Sequence, residues 1–226
     1  MIPTTNPFPR RQDLWQGALL ATIGQAINVA AMPDLANERS WDGPNYSRQD
    51  SQGTRGTITF LADRLVGVIR DDHSPRAPWH SGGPYRLDPL LAEMPADLRT
   101  LAEAEALQYV LDSWENLNGP IITTAFWSTG EFLAAADPWP VVVEHGGHLL
   151  EIELMEPAAA QVAIAADSEW SPSQLNLLRS LFDRKQQTPN GPVTLKDWEL
   201  RALVASGTSG LAESQALLTA IGFVFP

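Results

Sequence analysis

The chain contains no cysteine. Disulfides, thiolate metal sites and cysteine nucleophiles are therefore excluded, and a reducing cytoplasm is the expected compartment. No apolar run approaches the roughly eighteen residues of a membrane span, so no membrane partner is expected. The opening "MIPTTNPFPRRQ" places its two arginines after its apolar residues. Lacking a hydrophobic core, it reads as a Pro-rich tail over residues 1–12 rather than a secretory signal. The glycines of "GTRG" are too few and wrongly spaced for a phosphate-binding loop or a dinucleotide fingerprint, and no HExxH pattern occurs. No cofactor is expected.

Positive charge is scarce in one region. Residues 91–170 hold one Arg against fourteen Asp/Glu, whereas residues 1–90 hold nine Arg and nine acids, and 171–226 hold five Lys/Arg and four acids. The net charge of −12 thus sits almost wholly in the middle third. A field of that sign repels a phosphate backbone, which argues against nucleic acid, and attracts a basic protein. The plainer reading of the same acids is a solvated face that keeps the chain soluble.

What is present is the composition of a folded protein. Of 226 residues 44% are hydrophobic and 19% charged, and eight are Trp. That suits one large domain, or a domain with a small appendage. "QDLWQGALLATIGQAINVAA" carries Trp15, Leu19, Ile23 and Ile27 at four-residue steps, the stripe of a helix that ends before Pro33. Residues 33–56 lack periodicity and read as a long loop. "TITF" and "LVGVI", separated by "LADR", read as a hairpin. A Pro/Gly-rich loop over 71–88 follows, then a short helix at "DPLLAEM".

The spacing predicts a long helix over "ADLRTLAEAEALQYVLDSWENL", a strand over 121–127 and a short helix at "GEFLAAAD". "VVVEHGGHLLEIELM" has the pattern of a hairpin turning at Gly146-Gly147, with Glu144, Glu151 and Glu153 on one face and His145 opposite His148. Further on, Ser171-Pro172-Ser173-Gln174 is a capping box. Thr194 is placed to cap a helix that Gly207 ends, and a last helix starts at Ser209. "GFVFP" is expected to dock on the body. The fold expected is α+β: a mainly antiparallel sheet with packed helices over 13–170, and a helical C-terminal segment over 171–226.

The densest chemistry flanks the 57–70 hairpin. Its two ends lie side by side, so the preceding loop (Trp41, Asp42, Tyr46, Arg55) and the following one (Asp72, His73, Arg76, Trp79) are expected to form one site. Rings with a few convergent polar groups are the usual lining of a ligand pocket. The plainer reading is that these Arg and Asp pair with one another while the Trp plug the sheet end.

Asp72-His73-Ser74 is not a triad, because neighbours in an extended chain point opposite ways. His73 could still act as a general base oriented by a distant acid such as Asp42 or Asp50, with Asp72 a further catalytic candidate. His145 and His148, about 5 Å apart across a tight turn, are candidate zinc ligands. They lack an assigned third ligand, so no metal is expected. Two function classes stand. The first is a non-enzymatic binding protein with an acidic surface, of the bacterial immunity or inhibitor type. The second is a hydrolase-like small-molecule enzyme using His73 and loop carboxylates in a pocket between 33–56 and 71–88.

Overall fold

The computed structural model describes residues 8–226; most of the expected Pro-rich tail lies outside them. In chain order the helices and strands begin with α1 (Arg11–Val29), β1 (Arg39–Asp42), β2 (Asn45–Gln49), β3 (Thr54–Phe60) and β4 (Leu65–Asp71). Then come α2 (Ala96–Ala104), β5 (Leu111–Trp114), β6 (Leu117–Pro120), β7 (Thr124–Ser128), α3 (Trp139–Glu144) and α4 (Glu151–Leu154). The chain ends with α5 (Pro157–Asp167), α6 (Pro172–Gln187), β8 (Val193–Thr194), α7 (Asp197–Ser206), α8 (Leu211–Ala220) and β9 (Phe223–Val224). The fold is α+β with an antiparallel sheet. Among the described residues no helix is long and apolar enough to cross a membrane. Two compact units emerge. The described residues up to Gln12 join Pro44–Glu151 in one, and Asp13–Gly43 joins Ile152–Pro226 in the other.

In the first unit β2, β3, β4 and β7 are antiparallel neighbours in that order, in register through Thr57↔Val68 and Val68↔Ala125. The β-branched run of β4 is buried along its whole length. Val66, Val68, Ala125 and Trp127 pack on Leu98, Ala102, Leu107 and Val110 from α2 and the short 3-10 turn after it. The alternate positions serve the opposite face. There Gly67 leaves room for Phe126, whose ring atoms would stand 2.1 Å from a Cβ at that position. Phe126 in turn meets Trp139 edge-on at 6.0 Å.

The second unit is a helical assembly. Leu19, Ile23 and Ile27 of α1 are buried among Leu177, Leu181, Leu203 and Leu218, and Trp15 packs against that cluster. Gly17 lets α1 press on the Glu153 carbonyl, which a Cβ would meet at 1.8 Å. The Ser171–Gln174 capping box forms as expected. β8 and β9 pair in parallel, seating Phe223 in the core.

Several local expectations are overturned. Residues 141–154 are helical rather than a hairpin. Gly146, at φ 131, breaks the helix with its Cα packed on Ile69, where a Cβ would lie 2.7 Å from the Ile69 side chain. Tertiary packing against β4 thus decides what the Gly-Gly pair does. The long helix stops at Ala104, and residues 111–120 form a hairpin instead, turning through Glu115 at φ 50. "GEFLAAAD" is not helical; Ala134 exchanges backbone hydrogen bonds with Trp127. Residues 33–56 hold a 3-10 turn, β1 and β2 rather than one loop. Thr194 lies in β8, and Lys196 is the residue that precedes α7.

Candidate functional site

The hairpin of β3 and β4 places Thr54 opposite Asp71, so the turn before β3 and the loop after β4 meet at one end of the sheet. Asp50 builds the turn by accepting from the Gln52 and Thr54 amides at 2.8 and 2.9 Å. Gly53 sits in the turn at φ 94, a conformation that favours glycine. It also touches Asp72, whose Oδ2 would lie 2.9 Å from a Cβ there.

At this end the side chains form a closed electrostatic cluster. Arg70, the penultimate residue of β4, has a side chain only 8% exposed. It donates to Asp72 at 2.5 Å and to Asp112, which also accepts from Arg55 at 3.1 Å. Burial on its own lowers the Arg70 pKa, but the bonds to Asp112 and Asp72 outweigh it and raise it. Asp112 is correspondingly held below the usual carboxylate range, first by Arg70 and then by the Ser113 amide. With two guanidinium groups on two carboxylates, the cluster carries no net charge of its own.

One indole lies on this cluster and a second lies against it. The Arg70 guanidinium carbon stands 4.7 Å from the centre of the Trp79 ring, within cation–π range. Trp79 is fixed by its indole N–H, which donates to the Asp72 carbonyl at 2.7 Å. It meets Trp114 edge-on at 5.5 Å. Trp114 is 42% exposed at the tip of the β5–β6 hairpin. His80 is exposed, with Nε2 3.1 Å from the same Asp72 carbonyl.

A second network anchors the loop from below. Ser74 Oγ is 2.9 Å from His145 Nδ1, both residues being buried. Burial, and then the nearby Arg76 charge, pushes the His145 pKa down. The Thr123 hydroxyl donates to the His145 carbonyl at 2.6 Å and accepts from the Asp71 amide at 2.9 Å. Arg76 is bidentate to Asp137, at 2.6 and 3.2 Å.

Of the residues expected to converge, Arg55, Asp72 and Trp79 do so. Arg76 lies in the same loop but is committed to Asp137. Tyr46 is wholly buried in β2, opposite Ile58, and belongs to the core. Trp41 and Asp42 belong to the second unit, where the Trp41 indole donates to Thr22 at 2.8 Å and packs on the core. His73 has an exposed side chain with no hydrogen bond or ion pair among the described residues; only its amide is bonded, to Asp71. A cavity of about 350 Å³ opens along the stretch after β4, lined by residues drawn from Pro75 to Leu90 and by Asp137, but not by His73.

The expected apposition of His145 and His148 is not formed, because their segment is helical. His145 points to Ser74, and the exposed His148 has Nδ1 3.2 Å from the Val143 carbonyl. Among the described residues no group of three or more His, Asp or Glu is placed to hold a metal ion. The expected face of acids is likewise split: Glu144 and Glu151 are exposed, while Glu153 is fully buried and paired with Arg39 at 3.4 Å.

Sequence reasoning missed Arg70, Asp112 and Trp114. Arg70 was legible as a cation at a strand end. Asp112 and Trp114 were hidden in a segment with helical spacing. No protein-family model, no curated protein and no solved structure matches the chain.

Proposed function

We propose that the protein is a non-enzymatic binding protein whose contact surface is the sheet end built on Arg70, Trp79 and Trp114. The observation that carries this reading is the exposure of Trp114 against Trp79. It rests on Trp79, which is itself held by Arg70 and the Asp72 carbonyl. Binding energy concentrates in such aromatic anchors, which lose little freedom when covered. Glu103 and Glu115 are exposed in the same region of chain, and residues 100–117 contain no Lys or Arg. The partner that suits these features is a basic protein, and the role is occlusion of that partner, as an immunity or inhibitor-type protein performs it. The hydrolase reading has no comparable support, since among the described residues no carboxylate is hydrogen-bonded to the His73 ring.

The test compares the wild-type chain with Trp114→Ala and His73→Ala. Each is immobilised and offered the same soluble cell extract, and affinities are then measured for any retained protein. The reading expects a basic protein bound by wild type and by His73→Ala. Trp114→Ala should bind it about thirtyfold more weakly, the equivalent of about 2 kcal/mol. Equal retention by all three chains would reject this surface.

A further inference from the structure

The cavity along the 75–90 segment has features independent of the sheet-end surface. Its volume of about 350 Å³ falls at the small end of the range for small-molecule sites. Pro75, Pro84 and Pro89 supply wall rings that cannot donate a backbone hydrogen bond, and Leu90 adds an aliphatic surface.

The remaining walls are locked. The Tyr85 hydroxyl donates to the Ile122 carbonyl at 3.0 Å and accepts from the Ile122 amide at 2.8 Å, which fixes the ring. Burial pushes the Tyr85 pKa up, so the phenol adds no negative charge. Arg76 and Asp137 neutralise each other through their bidentate pair. Asp88, two residues beyond Arg86, is occupied by Arg99.

That leaves Arg86. It lines the cavity, its side chain is exposed, and among the described residues it has no hydrogen bond or ion pair. The cavity therefore presents proline, leucine and tyrosine surfaces, a self-neutralised Arg76–Asp137 pair and one uncommitted guanidinium. We propose that it binds a small organic carboxylate with a flat apolar body, of the aromatic or alicyclic monocarboxylate class, with Arg86 taking the carboxylate. A guanidinium matches a carboxylate through two parallel N–H···O bonds. The proline and tyrosine rings take a flat body without reordering. Inorganic phosphate satisfies the cation but leaves the walls uncovered.

The probes are benzoate, its neutral isostere benzamide, and inorganic phosphate. Each is titrated by calorimetry into the full chain and into Arg86→Ala and Arg86→Lys. Amide chemical shifts over 75–90 report the location. The expected result is that benzoate saturates with shifts at 75–90, while benzamide and phosphate bind about tenfold more weakly or worse, a loss typical of one charge-assisted pair. Arg86→Ala should bring benzoate down to the benzamide level, and Arg86→Lys should keep part of the difference. Because the Arg86 side chain is exposed, the fold should survive both changes, which matching far-UV spectra will verify. The proposal is overturned by absence of benzoate saturation, by equal affinity for benzoate and benzamide, by phosphate binding as tightly as benzoate, or by benzoate binding that ignores Arg86→Ala. Arg86 and the other lining residues are distinct from Arg70, Trp79 and Trp114, so the response to the Arg86 variants is separate from the outcome of the partner experiment.

Discussion

Ser74 Oγ and His145 Nδ1 stand 2.9 Å apart in a buried site where the loop after β4 meets the segment after α3. Burial, and then the charge of Arg76, keeps the imidazole pKa low, against weaker opposing effects of Glu144, Asp137 and Asp71. The folded chain therefore favours neutral His145. The associated stability is complete above the unfolded-state value of about 6.5 and is lost as pH falls through the lower folded-state value. Urea unfolding followed from pH 7.5 to pH 5 should show a decline that is shallower in His145→Gln than in wild type. Ser74→Ala should cost about 1 kcal/mol at pH 7.5, the usual worth of one buried hydrogen bond. Identical pH slopes for wild type and His145→Gln would refute the assignment.

Gly67 and Phe126 are a matched pair across β4 and β7. An added Cβ at position 67 meets ring carbons at 2.1 Å, so Gly67→Ala should destabilise the chain by about 1–3 kcal/mol through overpacking. Adding Phe126→Leu frees the space, and the double variant should recover part of that loss. If Phe126→Leu costs the same in both backgrounds, the two positions are uncoupled and the explanation is wrong.

Glu199 is the polar hub of the second unit. Its fully buried carboxylate accepts from the Lys196 amide at 2.7 Å, the Ser180 hydroxyl at 2.7 Å and Arg184 at 2.5 Å. Burial alone raises its pKa, but these three donors together lower it. Its contribution is thus present above the unfolded-state value of about 4.3 and is lost as pH falls through the lower folded value. Glu199→Ala removes the acceptor of three donors, leaving Arg184 its bond to the Thr194 carbonyl, and should cost about 1.5–3 kcal/mol at neutral pH, read as a lower urea midpoint. A loss under about 1 kcal/mol would place the hub among ordinary surface pairs.

The parts of this fold that were legible from the sequence are those whose local signal and tertiary role agree. The β-branched run Leu65–Ile69 forms a buried strand, the four-residue stripe of α1 forms a core helix, and Ser171 with Gln174 caps α6. Where the two conflict, packing prevails. Val141–Val143 has strand composition, but Pro138 starts α3 and Gly146 ends its run against Ile69. Residues 105–114 have helical spacing, yet Asp112 leaves the helix for a hairpin and salt-bridges Arg70. Of the candidate site only Arg55, Asp72 and Trp79 follow from the sequence, because they flank the β3–β4 hairpin whose local signal and tertiary role agree. Arg76 was correctly placed in the loop, but its partner Asp137 lies 61 residues away and no local signal connects them.

Trp114 is 42% exposed and touches Trp79 edge-on at 5.5 Å, so removing it should leave the fold intact. Trp79 also covers Arg70 and donates to the Asp72 carbonyl, so Trp79→Ala should weaken both partner binding and thermal stability. His73→Ala should change neither, because its exposed ring bonds to nothing among the described residues. The order of partner affinity is therefore His73→Ala equal to wild type, with Trp114→Ala and Trp79→Ala each about thirtyfold or more weaker. If the exposed acids steer a basic partner, its association rate should also fall between about 10 mM and 150 mM salt, as the Debye length contracts from about 30 Å to about 8 Å. Dissociation, governed by the aromatic contact, should change little over that range. An association rate that ignores salt would reduce the acids to a solvated face while leaving the aromatic anchor in place. A metabolite whose thermal stabilisation of the chain vanishes in His73→Ala but survives loss of either Trp would reverse the order and turn the reading toward catalysis.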